Sequence, residues 1–209
     1  DARWRYIQSI WGYDITSKEY INTLTGPMWV NKPLKNTTVR YKVHLIGNAS
    51  SGNKDCKVMC ILWSEKPLAV HPDSMSSHVY YGTITPGSSS IPIFYNPNNY
   101  SQIIQIGTFN FSTAIPSLGS TFEISFETIG TTLRAYLNGV KSTNDLTITN
   151  ELGYGYSGIC SHWYSTPGDY KFGVSEIEIS GTRVYQKPIH RGAMLETYHD
   201  GTQEVVGTT

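Results

Sequence analysis

The run "TVRYKVHLI" alternates without a fault. Val39, Tyr41, Val43 and Leu45 are apolar, and Arg40, Lys42 and His44 between them are polar. A strand sends successive side chains to opposite faces, so this run buries one face and wets the other. A helix cannot do the same, because its like positions recur about every 3.6 residues. Period two returns in "HVYYGTI", "SQIIQIGTFNF", "TFEISFET", "TLRAYLNG" and "KFGVSEIEIS". "CKVMCILW" is apolar on both faces, as a central strand covered on both sides should be. Clusters of Gly, Pro, Asn and Ser ("GNASSGN", "TPGSSS", "YNPNN", "IPSLGS", "STPGD") separate the runs. "DITSKEYINTL" is the best helical candidate, long enough for a single turn. Strands spaced by turns over 209 residues predict an all-β fold, a two-sheet antiparallel jelly-roll sandwich with N- and C-terminal extensions.

The stretch "FEISFETIGTTLRAYLNGVKSTND" carries the local grammar furthest. Phe122, Ile124 and Phe126 point one way, Glu123, Ser125 and Glu127 the other. After "IGTT", Leu133, Ala135 and Leu137 point inward and Arg134 and Tyr136 outward. Asn138-Gly139 sits where a type I′ turn needs positive φ at both positions. The stretch therefore predicts a three-strand meander. We expect the sandwich over residues 22–185, an aromatic N-terminal arm over 1–21, and a C-terminal extension over 186–209 with a hairpin around Asp200-Gly201.

Lys plus Arg and Asp plus Glu number 16 each, and no block of like charges appears. A basic face that neutralises phosphates is therefore not expected, which argues against nucleic acid or an anionic membrane as partner. No window approaches about 18 consecutive apolar residues. Three cysteines leave at least one thiol unpaired. Cys56 and Cys60, about 13 Å apart on one strand, cannot bond each other, though either could reach Cys160. Unpaired thiols favour folding in a reducing compartment. Sequons stand at Asn36, Asn48, Asn99 and Asn110; a chain this rich in Asn, Ser and Thr produces about two or three by chance, so they say little about glycosylation. The opening "DARWRY" and the ending "EVVGTT" lead us to expect a processed chain or a piece of a longer one.

Two resemblances follow from quoted residues. "FEISFETIGTTLRAYLNGV" with "KFGVSEIEISGTRVY" resembles the paired strands of concanavalin-like and laminin-G-like jelly rolls. That resemblance covers about a third of the chain and implies the fold. "AMLETYHDGTQEVVGTT" resembles a phrase of tailed-phage fibre and virion proteins, matching at Leu195, Glu196, Tyr198, Asp200, Gly201 and Thr202. It departs from the family's basic pair at Gln203, Glu204 and Val205. There such a hairpin joins fibre segments.

Three kinds of chemistry compete. A retaining glycanase needs two carboxylates about 5 Å apart. Glu123 with Glu127, and Glu176 with Glu178, each share a strand face, but alternation alone explains them as an outward polar face. The lyase strands of related jelly rolls, "Q-x-H" and "R-x-E-x-R", are missing, so no catalytic residue is assigned. Glycan binding rests on "GYGYSGICSHWYSTPGDY", with Tyr154, Tyr156, His162, Trp163, Tyr164 and Tyr170, because aromatic faces stack on sugar rings. "HPDSMSSHVYYG", with His71, Asp73, His78, Tyr80 and Tyr81, is a second candidate. The plain alternative is that these rings plug the ends of the sandwich. Related lectin-like sandwiches often hold calcium, but no dense Asp/Asn loop with ligand spacing is present, and no cofactor or metal site is assigned. Assembly rests on apolar groups near the chain ends, Trp4, Tyr6 and Trp11, and Leu195 and Tyr198; the plain alternative is that they fold back on their own domain. The expectation that covers most of the sequence is a non-enzymatic virion or fibre component. It would bind copies of itself or neighbouring virion proteins through its ends, and surface glycan besides. An extracellular lectin-like carbohydrate-binding module is the alternative, and a jelly-roll lyase or glycanase the third.

Overall fold

The computed structural model describes residues 4–6, 11–22, 27–30, 32–46, 58–67, 77–97, 102–161, 171–183, 194–197 and 203–206. The strands β1 (Trp4–Tyr6), β2 (Trp11–Asp14), β3 (Glu19–Asn22) and β4 (Pro27–Val30) are short. The longer β5 (Leu34–Leu45), β6 (Val58–Ser64), β7 (His78–Ile84), β8 (Ser90–Pro97) and β9 (Ile104–Asn110) follow. The meander is β10 (Thr121–Ile129), β11 (Thr132–Leu137) and β12 (Val140–Lys141). After β13 (Leu146–Thr147) come β14 (Tyr156–Ser161) and β15 (Phe172–Arg183), and then β16 (Met194–Thr197) and β17 (Gln203–Val206). No α-helix occurs among the described residues.

Two antiparallel sheets face each other. One runs β1-β4-β14-β6-β7-β8-β9, the other β12-β11-β10-β5-β15-β3-β2 with β13 on β11. This is the all-β jelly-roll sandwich that alternation predicts. Val39, Tyr41 and Val43 of β5, Ile124 and Phe126 of β10, and Ile91 and Ile93 of β8 meet between the sheets. Phe109 and Phe126 bring ring centroids to 6.3 Å across the gap. Asn138 and Gly139 both have positive φ, 49° and 76°, as a type I′ turn demands, and the Asn138 side-chain oxygen accepts from the Glu123 N–H at 2.8 Å.

Three expectations are corrected. Residues 1–21 are not simply an arm: β1 joins the first sheet, and β2 with most of β3 forms an edge of the second. Trp11 is 1% exposed and meets Phe172 edge-on at 5.4 Å, so its ring belongs to this chain's own core rather than to an interface. Of "DITSKEYINTL", residues 14–22 are the end of β2, the turn and β3 of a β-hairpin, with Tyr13 opposite Tyr20, and 23–24 lie outside the described residues. Its helical look comes from Asp14, whose Oδ1 accepts from the N–H groups of Thr16 and Ser17. That is how an N-cap begins a helix, but here it closes a turn.

Cys60 and Cys160 stand on neighbouring strands one residue out of register, with Cys60 opposite Ile159 and Cys160 opposite Met59. They therefore face opposite sides of the sheet, and no disulfide joins them. Cys56 lies outside the described residues. Met194 to Thr197 pairs with Val206 to Gln203 as a two-stranded sheet separate from the sandwich; residues 198–202, including Tyr198 and Asp200-Gly201, lie outside the described set.

Candidate functional site

The two sheets differ on their outer faces. On the seven-stranded sheet, Met59, Ile61, Val79, Tyr81 and Cys160 point away from the main core and form a second buried apolar cluster. That face is closed. On the eight-stranded sheet the outward positions are polar and solvent-facing.

Register brings four of these residues into one row. Ser125 of β10 lies opposite Tyr136 of β11 on one side and Arg40 of β5 on the other, and Arg40 lies opposite Glu178 of β15. With strands about 4.8 Å apart, the row Tyr136–Ser125–Arg40–Glu178 is about 14 Å long. It lies in a cleft of about 420 Å³ that Thr38, Glu123, Glu127 and Ser180 also line.

β15 contributes through a bulge. Ser175 opposes Lys42 and Glu178 opposes Arg40, so two residues of β15 occupy the space of one on β5. Glu176 takes the bulge conformation at φ 47°. The extra residue lets Val174 and Ile177 both meet the core while Ser175, Glu176 and Glu178 all face outward. Without it, Glu176 would turn inward.

The charges interlock. Arg40 reaches Glu123 through Nη1 at 3.6 Å and Glu178 through Nη2 at 2.5 Å. Lys42 meets Glu176 at 2.8 Å. Arg134 bridges Glu127 at 3.4 Å and Asp145 at 3.2 Å, and Lys141 meets Asp145 at 2.8 Å. The Tyr136 hydroxyl donates to Glu127 Oε2 at 3.1 Å. Burial, then that bond, pushes its phenol up, which favours the neutral, donating form. The hydrogen bond from Lys141 outweighs the opposing effect of burial and, with help from Arg134, holds Asp145 below the ordinary carboxylate value. Among the described residues no group of three His, Cys, Asp or Glu is arranged to hold a metal ion.

The carboxylate pairs expected of a glycanase are thus on one face, but Arg40 stands between Glu123 and Glu178. Of the aromatic candidates, Tyr154 is 43% exposed and Tyr156 is half-buried at the start of β14. His162, Trp163, Tyr164 and Tyr170 lie outside the described residues, as do His71 and Asp73. "GYGYSGIC" is therefore not all loop, since β14 is a strand between β4 and β6. Tyr81 is buried on the closed face, stacked on Phe94 at 5.4 Å. His78 and Tyr80 belong to a chain of rings at one rim. Tyr80 stacks on Tyr95 at 4.6 Å and meets Trp63 at 6.2 Å, and His78 meets Tyr95 at 6.2 Å. Trp63 donates to the Gly153 carbonyl at 3.0 Å. Tyr80 packs partly on the main core, Trp63 and Tyr95 are half-buried, and His78 is exposed. Of the assembly candidates, Trp4 and Tyr6 lie in β1 and Leu195 in β16.

The residues that alternation did not single out are Thr38, Arg40, Ser125, Tyr136 and Ser180. Each reads as an ordinary outward position, and only the pairing of β5 with β10 and β15 brings them together.

No family model matches the chain, and no curated protein matches it. Solved structures share the fold. A carbohydrate-binding module, CBM66, from Bacillus subtilis is 12% identical, with 86% of this chain and 96% of that chain covered and a TM-score of 0.58. The Emp47p carbohydrate recognition domain is 6% identical, with 86% and 89% covered and a TM-score of 0.55. A Bacillus licheniformis β-glucanase is 10% identical, with 84% and 83% covered and a TM-score of 0.55.

Proposed function

We propose that the protein is a non-catalytic carbohydrate-binding sandwich that receives glycan on the outer face of its eight-stranded sheet. The observation that carries this is the in-register row Tyr136–Ser125–Arg40–Glu178 in its cleft, on a polar face whose counterpart on the other sheet is apolar and closed. A sugar needs donors and acceptors for its hydroxyls and a flat apolar surface for its ring. Arg40 and Ser125 donate, Glu178 and Glu123 accept, and Tyr136 offers the ring. The similar folds of a carbohydrate-binding module and a carbohydrate recognition domain support the reading. Binding is preferred to turnover because Arg40, Lys42, Arg134 and the Tyr136 hydroxyl engage the carboxylates of the face.

Calorimetric titration with a glycan panel tests it. Tyr136→Ala and Arg40→Ala should each abolish binding while leaving thermal unfolding nearly unchanged. A panel with no binder, or binding that survives both substitutions, defeats the assignment. Release of product from any glycan, abolished by Glu123→Gln or Glu178→Gln, replaces it with an enzyme.

One observation favours a second role, assembly into a virion or fibre. Among the described residues β16 and β17 pair with each other and with no strand of the two large sheets. Two strands alone are marginal in water, so such a hairpin gains by docking on another copy or a neighbouring protein.

A further inference from the structure

We infer that the glycan taken by this face carries no anionic groups, and that the face selects against uronate, sulfated and sialylated chains. This rests on the carbohydrate reading above and adds the chemical class of the ligand. Three carboxylates, Glu123, Glu127 and Glu178, line the cleft against one guanidinium, Arg40. The guanidinium is already committed within the protein, one terminal nitrogen to Glu123 and the other to Glu178. The cations around the cleft are committed too: Arg134 to Glu127 and Asp145, Lys42 to Glu176, and Lys141 to Asp145.

Recognition of a sugar carboxylate or sulfate is strongest when it engages a guanidinium two-pronged. Here that geometry requires expelling Glu123 or Glu178 from Arg40. The expelled group would stay beside the incoming anion, with the other carboxylates close by. Like charges at contact distance repel enough to weaken binding about tenfold even with near-aqueous screening. A neutral hydroxyl meets no such opposition. Carboxylate oxygens accept from it, and Ser125, Thr38 and Ser180 can donate or accept. Tyr136, kept neutral by burial and by Glu127, adds apolar surface without charge.

The experiment is titration calorimetry on the full chain with three matched-length sets: neutral gluco- and fructo-oligosaccharides, oligouronates, and chitosan oligomers. A neutral oligosaccharide should bind, with affinity nearly independent of salt, and oligouronates should bind at least about tenfold more weakly. Glu178→Gln, which removes a charge and frees one side of Arg40, should narrow that gap by raising uronate affinity. Oligouronate binding as tightly as any neutral oligosaccharide, lost in Tyr136→Ala, overturns the inference and leaves the glycan site standing. So does a gap that Glu178→Gln leaves unchanged. Absence of binding in all three sets overturns the inference and the glycan site together.

Discussion

Tyr41 carries the sharpest single-residue cost. Its ring fills the core between the sheets at 1% exposure, and its hydroxyl is buried with no hydrogen-bond partner among the described residues. Burial, with Cys60 nearby, pushes the phenol well up. A buried polar group without a partner costs about 1–3 kcal/mol, while the ring contributes as any core aromatic does. Tyr41→Phe should therefore raise stability by about 1 kcal/mol, seen as a higher urea midpoint at unchanged slope. A lower midpoint would mean that the hydroxyl has a partner worth more than its desolvation. Gly155 works in the opposite direction. A methyl there would fall inside the indole of Trp63, which lies against the glycine backbone. Gly155→Ala should cost about 1–3 kcal/mol in the same assay, because that ring must move. Alternation in "TVRYKVHLI" was enough to place Tyr41 inward beside Val39 and Val43. Nothing local could reveal that its hydroxyl would find no partner, nor that Arg40 beside it would meet Glu178 from a strand more than a hundred residues away.

At the scale of elements, legibility followed the alternation. β5, β10, β11 and β15 each bury one face and wet the other, so a period of two announced them. β8 was obscured by Pro92 and Pro97. Pro92 is tolerated because the β7 pairing stops at Ile93, where the missing N–H breaks no ladder on that side. β14 was obscured by Gly155 just before it, which makes room for the Trp63 ring, and by Gly158 within it. The bulge in β15 has its own consequence. Glu176 holds φ 47° without being glycine, a conformation that costs L-residues about 1–2 kcal/mol, while its pair with Lys42 is exposed and screened by solvent and returns little. Glu176→Gly should thus be at least as stable as the parent, and Glu176→Val clearly less stable. Equal losses in the two would mean that the carboxylate, not the backbone, matters there. The turn after β12 adds a pH dependence. Asp145 has a folded value below its unfolded one, so its contribution to stability is present above the ordinary 3.8 and is lost as pH falls through the folded value. Urea midpoints for the parent and Asp145→Asn should differ near neutrality and converge below about pH 4. Parallel curves across that range would show that Asp145 adds nothing pH-dependent.

For the whole molecule, the open question is what the chain ends do. The N-terminal end is no longer a candidate for assembly as one piece. Its Trp11 is in the core against Phe172, and β2 hydrogen-bonds the sheet edge through β3. Truncating a buried Trp costs about 3–5 kcal/mol, so removing residues 1–14 should destabilise the sandwich whatever else it does. Mass measured on that variant would report unfolding, not assembly. The C-terminal hairpin is different. β16 pairs with β17 over Met194 to Thr197, and neither strand joins the two large sheets. Removing residues 190–209 should therefore leave the unfolding midpoint of the sandwich nearly unchanged. If the hairpin holds copies together, light scattering at matched concentrations should show the parent as an oligomer and the truncated chain as a monomer. Mixing the truncated chain with the parent should then give no mixed oligomer. A truncated chain that keeps the parent's mass, or a parent that is already monomeric at the highest soluble concentration, removes self-assembly through this hairpin. A truncated chain that loses stability instead would show that the hairpin folds back on its own sandwich.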